Sequence, residues 1–132
     1  MAAVTILDAS VLISYFGPAD VHTDQAVALL EQAAELAAST ITFAEVLVGA
    51  TRLGRGRELL RALDGLGVAE VPILAGGAAA LAELRVATGL RMPDCCVLLA
   101  AETLDFAEIA TFDEQLAKAA RQRGHETWPR GG

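Results

Sequence analysis

Apolar residues along this chain come in short blocks between polar breaks, and the blocks alternate between a strand-like and a helix-like period. Val4–Leu7 is a β-branched run closed by Asp8, which predicts a strand buried on both faces, as in parallel sheets. A short helix is expected over Ala9–Phe16, stopped by Gly17-Pro18. Across 22–37, Val27, Leu30, Ala34 and Ala37 share one face while Asp24, Glu31, Gln32 and Glu35 share the other, the pattern of an amphipathic helix. Residues 36–39 read alternatively as a second strand. Helices are then expected over 42–53 and 54–66, a strand over 68–74, and an Ala/Leu helix over 77–88. After the loop 89–92 come a helix over 93–103 with Pro93 in its first turn, a strand over 106–110 and a helix over 113–123. That last helix has acids first, bases last and Gly124 behind it, as the macrodipole and a C-terminal cap prefer. An edge strand over 126–128 and a loose tail at about 129–132 complete the chain. Such alternation implies an α/β fold, a three-layer α/β/α sandwich around a mostly parallel sheet of four to five strands. No repeat, low-complexity tract or linker interrupts it, so one domain over 1–132 is expected.

In such sheets ligands bind beyond the carboxyl ends of the strands, where strand order reverses. Acids stand just past the predicted strands here. Asp8 closes the first, Glu45 lies in the helix after the second, Asp94 opens the helix at 93, and Asp113 comes after the strand at 106–110. Each has a bland explanation. Thr42–Glu45 and Thr111–Glu114 fit capping boxes, Asp94 suits a helix N-terminus, and Asp8 is placed to cap the helix it precedes. The conjunction is harder to dismiss, because Asp8 and Glu45 stand in apolar surroundings and buried acids are rare unless paired. Two carboxylates about 4 Å apart repel by about 4 kcal/mol at an effective dielectric near 20. Four together would consume much of a domain's stability of about 5–15 kcal/mol. A divalent cation relieves that repulsion, and oxygen ligands without Cys or His favour Mg²⁺ or Mn²⁺ over zinc. The chemistry this predicts is attack of cation-activated water on phosphorus.

Charge alone points the other way. The 132 residues carry 17 acids and 10 bases, a net charge of −7. A protein that coats nucleic acid should be basic. Bound cations would reverse the local sign at the acids without making the surface a general polyanion trap. A mean hydropathy of +0.45 excludes intrinsic disorder. The start of the chain lacks the basic segment of a signal peptide, and the apolar stretch 71–84 is too broken to span a bilayer. Cys95 and Cys96 are adjacent and have no other partner, so no disulfide framework is expected; they read as helix packing residues. A cytoplasmic protein with no membrane partner is expected.

The acid motifs carry a resemblance. Ile6-Leu7-Asp8-Ala9-Ser10-Val11-Leu12-Ile13, Thr40-Ile41-Thr42-Phe43-Ala44-Glu45, the Pro93-Asp94 pair opening an apolar helix, and Ala110-Thr111-Phe112-Asp113-Glu114 resemble, in order, the four motifs of PIN domains. The length is similar to that of the VapC toxins of toxin–antitoxin pairs. The resemblance implies a PIN-like fold and a Mg²⁺- or Mn²⁺-dependent endoribonuclease, held inactive by a VapB-type antitoxin. It implies that Asp8 and Asp94 bind the metal directly, and that Glu45 and Asp113 bind it directly or through water. Thr111 and Ser10 match positions where a hydroxyl assists near the metal. Cys95-Cys96 departs from the usual small apolar residues.

Other residues have plainer roles to set against functional ones. Arg52, Arg55, Arg57 and Arg61 form either a solvated helical face or a phosphate track for RNA, and Arg91, three residues before Asp94, is the better single candidate. His22 and His125 lie far from every acid motif and read as surface or capping residues; Trp128 could cover a sheet edge. With aromatics at 5 %, stacking platforms for RNA are few. The 22–37 helix and the arginine-bearing helices offer faces for a homodimer or an antitoxin. Two competing classes remain: a phosphoaspartate receiver or phosphotransferase, and a catalytically silent binding module. The first needs an acidic neighbour beside the nucleophilic Asp and a nearby cation. Here Ser10 stands where a second Asp would, and the sole lysine, Lys118, lies well inside the last helix.

Overall fold

The computed structural model describes residues 3–130. Its five strands are β1 (Val4–Leu7), β2 (Glu35–Ser39), β3 (Val68–Val71), β4 (Glu108–Ala110) and β5 (Thr127–Trp128). They form one sheet in the order β3-β2-β1-β4-β5, with every ladder parallel. The helices among the described residues are α1 (Ala9–Phe16), α2 (Thr23–Gln32), α3 (Thr40–Arg52), α4 (Gly56–Gly65), α5 (Gly77–Thr88), α6 (Met92–Thr103) and α7 (Glu114–Gln122). The pleat sends alternate strand residues into two separate cores. Ile6, Ala37, Val71 and Ile109 pack with α5, α6 and α7; Leu7, Leu36, Ala38, Val68 and Ala110 pack with α1 to α4. This is the expected three-layer α/β/α sandwich.

Strand order decides where the site lies. The chain steps outward from β1 to β2 to β3, then returns across the sheet to place β4 on the other side of β1. The return carries α6 over the middle of the sheet, where it packs against β1, β2 and β4 as well as α3. Hence α6 is buried nearly all round, from Asp94 to Ala101, and both cysteines are buried, unbridged packing residues. The order reverses between β1 and β4, so the crevice expected to bind ligands opens beyond Leu7 and Ala110.

Several boundaries differ from the sequence expectation. The helix expected over 22–37 ends at Gln32, and 35–39 is β2. Its buried residues are Ala26, Leu29 and Leu30, not the stripe through Ala34 and Ala37. The alanines there have high helix propensity, but parallel ladders to β1 and β3 on either side outweigh it. The strand expected over 68–74 stops at Val71, before Pro72, which cannot donate to a ladder. Of the tail expected at about 129–132, residues 131–132 lie outside the described part, while Arg130 pairs with Glu126 at 2.8 Å and Glu108 at 3.2 Å. Among the described residues no helix is long and apolar enough to cross a membrane.

Candidate active site

Asp8 is the first residue past β1, and its N–H bonds the carbonyl of Ala110 at the end of neighbouring β4. It occupies the N-cap position of α1, yet its side chain makes no capping bond. Its Oδ2 instead accepts from Ser10 Oγ and from Thr111 Oγ1, each at 2.7 Å. Those hydroxyls in turn accept the N–H of Phe112 and of Asp113, each at 3.0 Å. Every hydroxyl hydrogen is thereby committed to Asp8, and one carboxylate oxygen is fixed by two donors from two different strand ends. Oδ1 has no such partner among the described residues. Ser10 and Thr111, expected as auxiliary residues, both bond Asp8. The capping role considered for Asp8 is not realised.

Asp113 does cap. Its Oδ1 accepts from the Leu116 N–H at 3.0 Å at the start of α7, so the box expected at Thr111–Glu114 begins two residues later. Its Oδ2 remains for other work. Glu45 is freed from the capping role in the opposite way. Helix α3 starts at Thr40 with Ser39 as its cap, which puts Glu45 in the sixth helical position, beyond any capping box. The expectation that Glu45 is buried is not met, since its side chain is exposed on α3. A helix presents both faces, and Val46 takes the inward one. Even so, protein packed around Glu45 and the charge of Asp8 raise its carboxyl above the ordinary value.

Asp94, in the first turn of α6, is 8 % exposed, as is Asp8. A helix N-terminus favours a negative charge there. Burial outweighs it: desolvation, then the charges of Asp8 and Asp113 and a smaller push from Glu45, lift the Asp94 carboxyl from 3.8 to about 6. Asp94 therefore feels the other three acids, from motifs up to 86 residues away. Arg91, exposed one turn before, is the cation whose charge opposes the rise at both Asp94 and Glu45. Arg52 ends α3 and Arg55 precedes α4, both exposed, and neither acts on the acids in this way. Arg55 instead borders an apolar groove with Leu12, Ile13, Val46, Gly49 and Leu53. Val46 and Gly49 lie within one turn of Glu45 on α3, but none of the four acids lines the groove.

The donor set suits a hard cation. It is all oxygen, one oxygen of Asp8 and one of Asp113 are uncommitted, and the buried Asp94 has no cationic group within ion-pair distance among the described residues. No three His, Cys, Asp or Glu side chains among the described residues stand together so as to hold a metal ion between them. An ion held here would therefore have to keep several waters and take only one or two carboxylates, as Mg²⁺ does.

Both histidines depart from the sequence expectation. His22, expected at the surface or as a cap, is half-buried, makes no side-chain cap bond, and stacks on Phe112 between Thr111 and Asp113. The local signal is Asp20-x-x-Thr23, a turn that fixes His22, but nothing in the spacing connects it to residue 112. His125 is 3 % exposed, a core residue with Nδ1 near the Ala107 carbonyl.

The fold and site together define an α/β protein with a strand-end acidic centre at its topological switch point. More particularly, the chain belongs to the PIN domain family, whose profile matches residues 5–122. Among solved structures it is similar to a toxin–antitoxin complex from Klebsiella pneumoniae, with 26 % identity, 86 % of this chain and 89 % of that chain covered, and a TM-score of 0.68. It is also similar in fold to FitAcB from Neisseria gonorrhoeae, at 20 % identity, 93 % and 95 % coverage and a TM-score of 0.69. A third similar fold is VapC20 from Mycobacterium tuberculosis, described as a sarcin-ricin loop cleaving toxin, at 16 % identity, 87 % and 94 % coverage and a TM-score of 0.71. No curated protein matches the chain.

Proposed function

We propose that this chain is a metal-dependent endoribonuclease and the toxin of a VapBC-type pair, with the single domain over 1–132 as its catalytic unit. Membership in the PIN family and likeness to a toxin–antitoxin complex support the class. The observation that carries the chemistry is the coupled acid quartet, in which Asp8 is pinned by two hydroxyls while Asp94 is held near pKa 6 by burial and like charge.

Asp8 and Asp94 would hold Mg²⁺ or Mn²⁺ directly, with Glu45 and Asp113 holding it directly or through water. When bound, the ion supplies charge for the attacking and leaving oxygens of phosphodiester hydrolysis. Ser10 and Thr111 keep Asp8 in one rotamer, so its free oxygen stays aimed without the entropy of a mobile side chain. Asp113 is held by its own cap, with Oδ2 left to orient water. Glu45, exposed and raised in pKa, is the group best placed to take a proton from the nucleophile. Arg91 offers the phosphate a cation at the rim of the site. A phosphoaspartate mechanism is disfavoured because the side chain beside Asp8 where a second acid would stand is Ser10, whose hydroxyl donates to Asp8 Oδ2.

Likeness to a toxin–antitoxin complex supports an antitoxin partner. An antitoxin segment with a basic side chain and an apolar helical face would set the base against the acids and the apolar face in the groove lined by Leu12, Ile13, Val46 and Leu53. A cytoplasmic location accords with an RNA substrate and two unbridged thiols.

Cleavage of total RNA tests the reading. The unmodified chain with Mg²⁺ or Mn²⁺ is expected to release 5′-phosphate ends, to stop when the metal is chelated, and to slow by at least about 100-fold in Asp8→Asn. Equal cleavage by Asp8→Asn would sink it.

A further inference from the structure

The turn before α2 holds His22 in a fixed place. The Asp20 N–H bonds Thr23 Oγ1 at 2.8 Å, the His22 N–H bonds Asp20 Oδ1 at 2.7 Å, and Ser14 Oγ reaches Asp20 Oδ2 at 3.1 Å. The imidazole then lies parallel on the ring of Phe112, with centroids 4.2 Å apart and planes within 10°. Trp128, at the end of edge strand β5, stands 6.1 Å from Phe112 at 60°. All three rings are half-buried, so each keeps part of its surface open. Buried histidine nitrogens are ordinarily hydrogen-bonded, yet His22 Nδ1 is buried without a partner. Stacking, rather than polar bonding, sets the place of this ring.

The cluster is tied to the acidic centre by covalent neighbours and by a hydrogen bond. Phe112 sits between Thr111, which bonds Asp8, and Asp113, and its own N–H bonds Ser10 Oγ, which also bonds Asp8. Aromatic rings anchored one residue from proposed metal ligands, and partly open, have the chemistry that recognises unpaired bases. Stacking also answers a problem of charge. A chain at −7 gains little from phosphate neutralisation, whereas stacking needs no net positive charge.

We propose that His22, Phe112 and Trp128 form a stacking platform for an unpaired nucleobase of the RNA, beside the phosphodiester that the acids cut. This rests on the nuclease reading above. Trp128 is the only tryptophan in the chain, so its fluorescence reports on the platform. The experiment titrates a single-stranded hexamer of adenylate, with Mg²⁺ present, into the full chain made inactive by Asp8→Asn. The same titration is run with hexamers carrying one abasic position, and with His22→Ala and His22→Phe added. The hexamer is expected to quench Trp128. His22→Ala is expected to weaken binding by roughly 5- to 150-fold, the equivalent of losing one stacked base. His22→Phe is expected to restore binding, since it keeps the ring and drops the nitrogens. One abasic position should cost as much as His22→Ala, and the two losses should not add.

If the unmodified chain cleaves total RNA but His22→Ala binds the hexamer as well as its parent, the platform is overturned and the nuclease reading stands. Recovery by His22→Lys but not by His22→Phe overturns it in favour of a phosphate contact. Absence of both hexamer binding and cleavage of total RNA overturns the nuclease reading together with the platform.

Discussion

Which carboxylate oxygens are already engaged decides what each acid of this site is able to do. Asp8 spends one oxygen on two hydroxyls, Asp113 spends one on its helix, and Asp94 has neither kind of bond and shows the raised pKa. That pKa has a consequence for stability. The native value of about 6 lies above the ordinary 3.8, so between them the folded chain keeps a proton that the unfolded chain has released. Stability therefore falls as pH rises through that window, and above pH 6 the cost is fully present, about 3 kcal/mol at 1.36 kcal/mol per unit. With metal chelated, Asp94→Asn is expected to be more stable than the parent at pH 7, by up to about that amount, and to lose the advantage by pH 4. Thermal melts at the two pH values check this; an unchanged melting temperature at pH 7 would mean that Asp94 is not desolvated. That four acids follow strands was legible in the sequence. Which of them were merely caps was not, since Ser39 lay three residues before the expected start of α3 and displaced Thr42 from that role.

The elements separate structure from chemistry most cleanly at α7. Asp113 both caps this helix and belongs to the quartet, and substitution distinguishes the two roles. Asp113→Asn keeps an acceptor for the Leu116 N–H and removes only the charge, so it is expected to melt near the parent while cleaving RNA more slowly. Asp113→Ala is expected to lose about 1 kcal/mol of stability as well as activity. Equal melting temperatures for the two would remove the capping role. Element boundaries show the opposite balance between local and tertiary forces at 33–39. Local propensity there favours helix, and the strand exists because β1 and β3 flank it. By contrast β1, α1 and α5 were legible to the residue, each having a stop signal at its end: Asp8, Gly17-Pro18 and Gly89.

For the whole molecule the question is how an acidic chain would engage the RNA proposed as its substrate. Arg91 lies with the acids, whereas Arg52 and Arg55 stand along the exposed ends of α3 and α4. If those two track the RNA backbone, replacing both with Gln is expected to weaken binding uniformly across sequences. It should also reduce the slope of log affinity against log salt by about 0.7 for each phosphate no longer neutralised. An unchanged slope would assign them to a solvated face. The sequence by itself determined the alternation of strands and helices, the place of four acids past strand ends and the net charge of −7, because periodicity, strand-end position and charge are properties of neighbouring residues. Only the tertiary structure decided that Ser10 and Thr111, 101 residues apart, share Asp8, that Glu45 is exposed while Asp94 is buried, and that His22 meets Phe112. The physical reason is the reversal of strand order between β1 and β4, which brings distant strand ends side by side and leaves α6 no solvent-facing side on which to place Asp94.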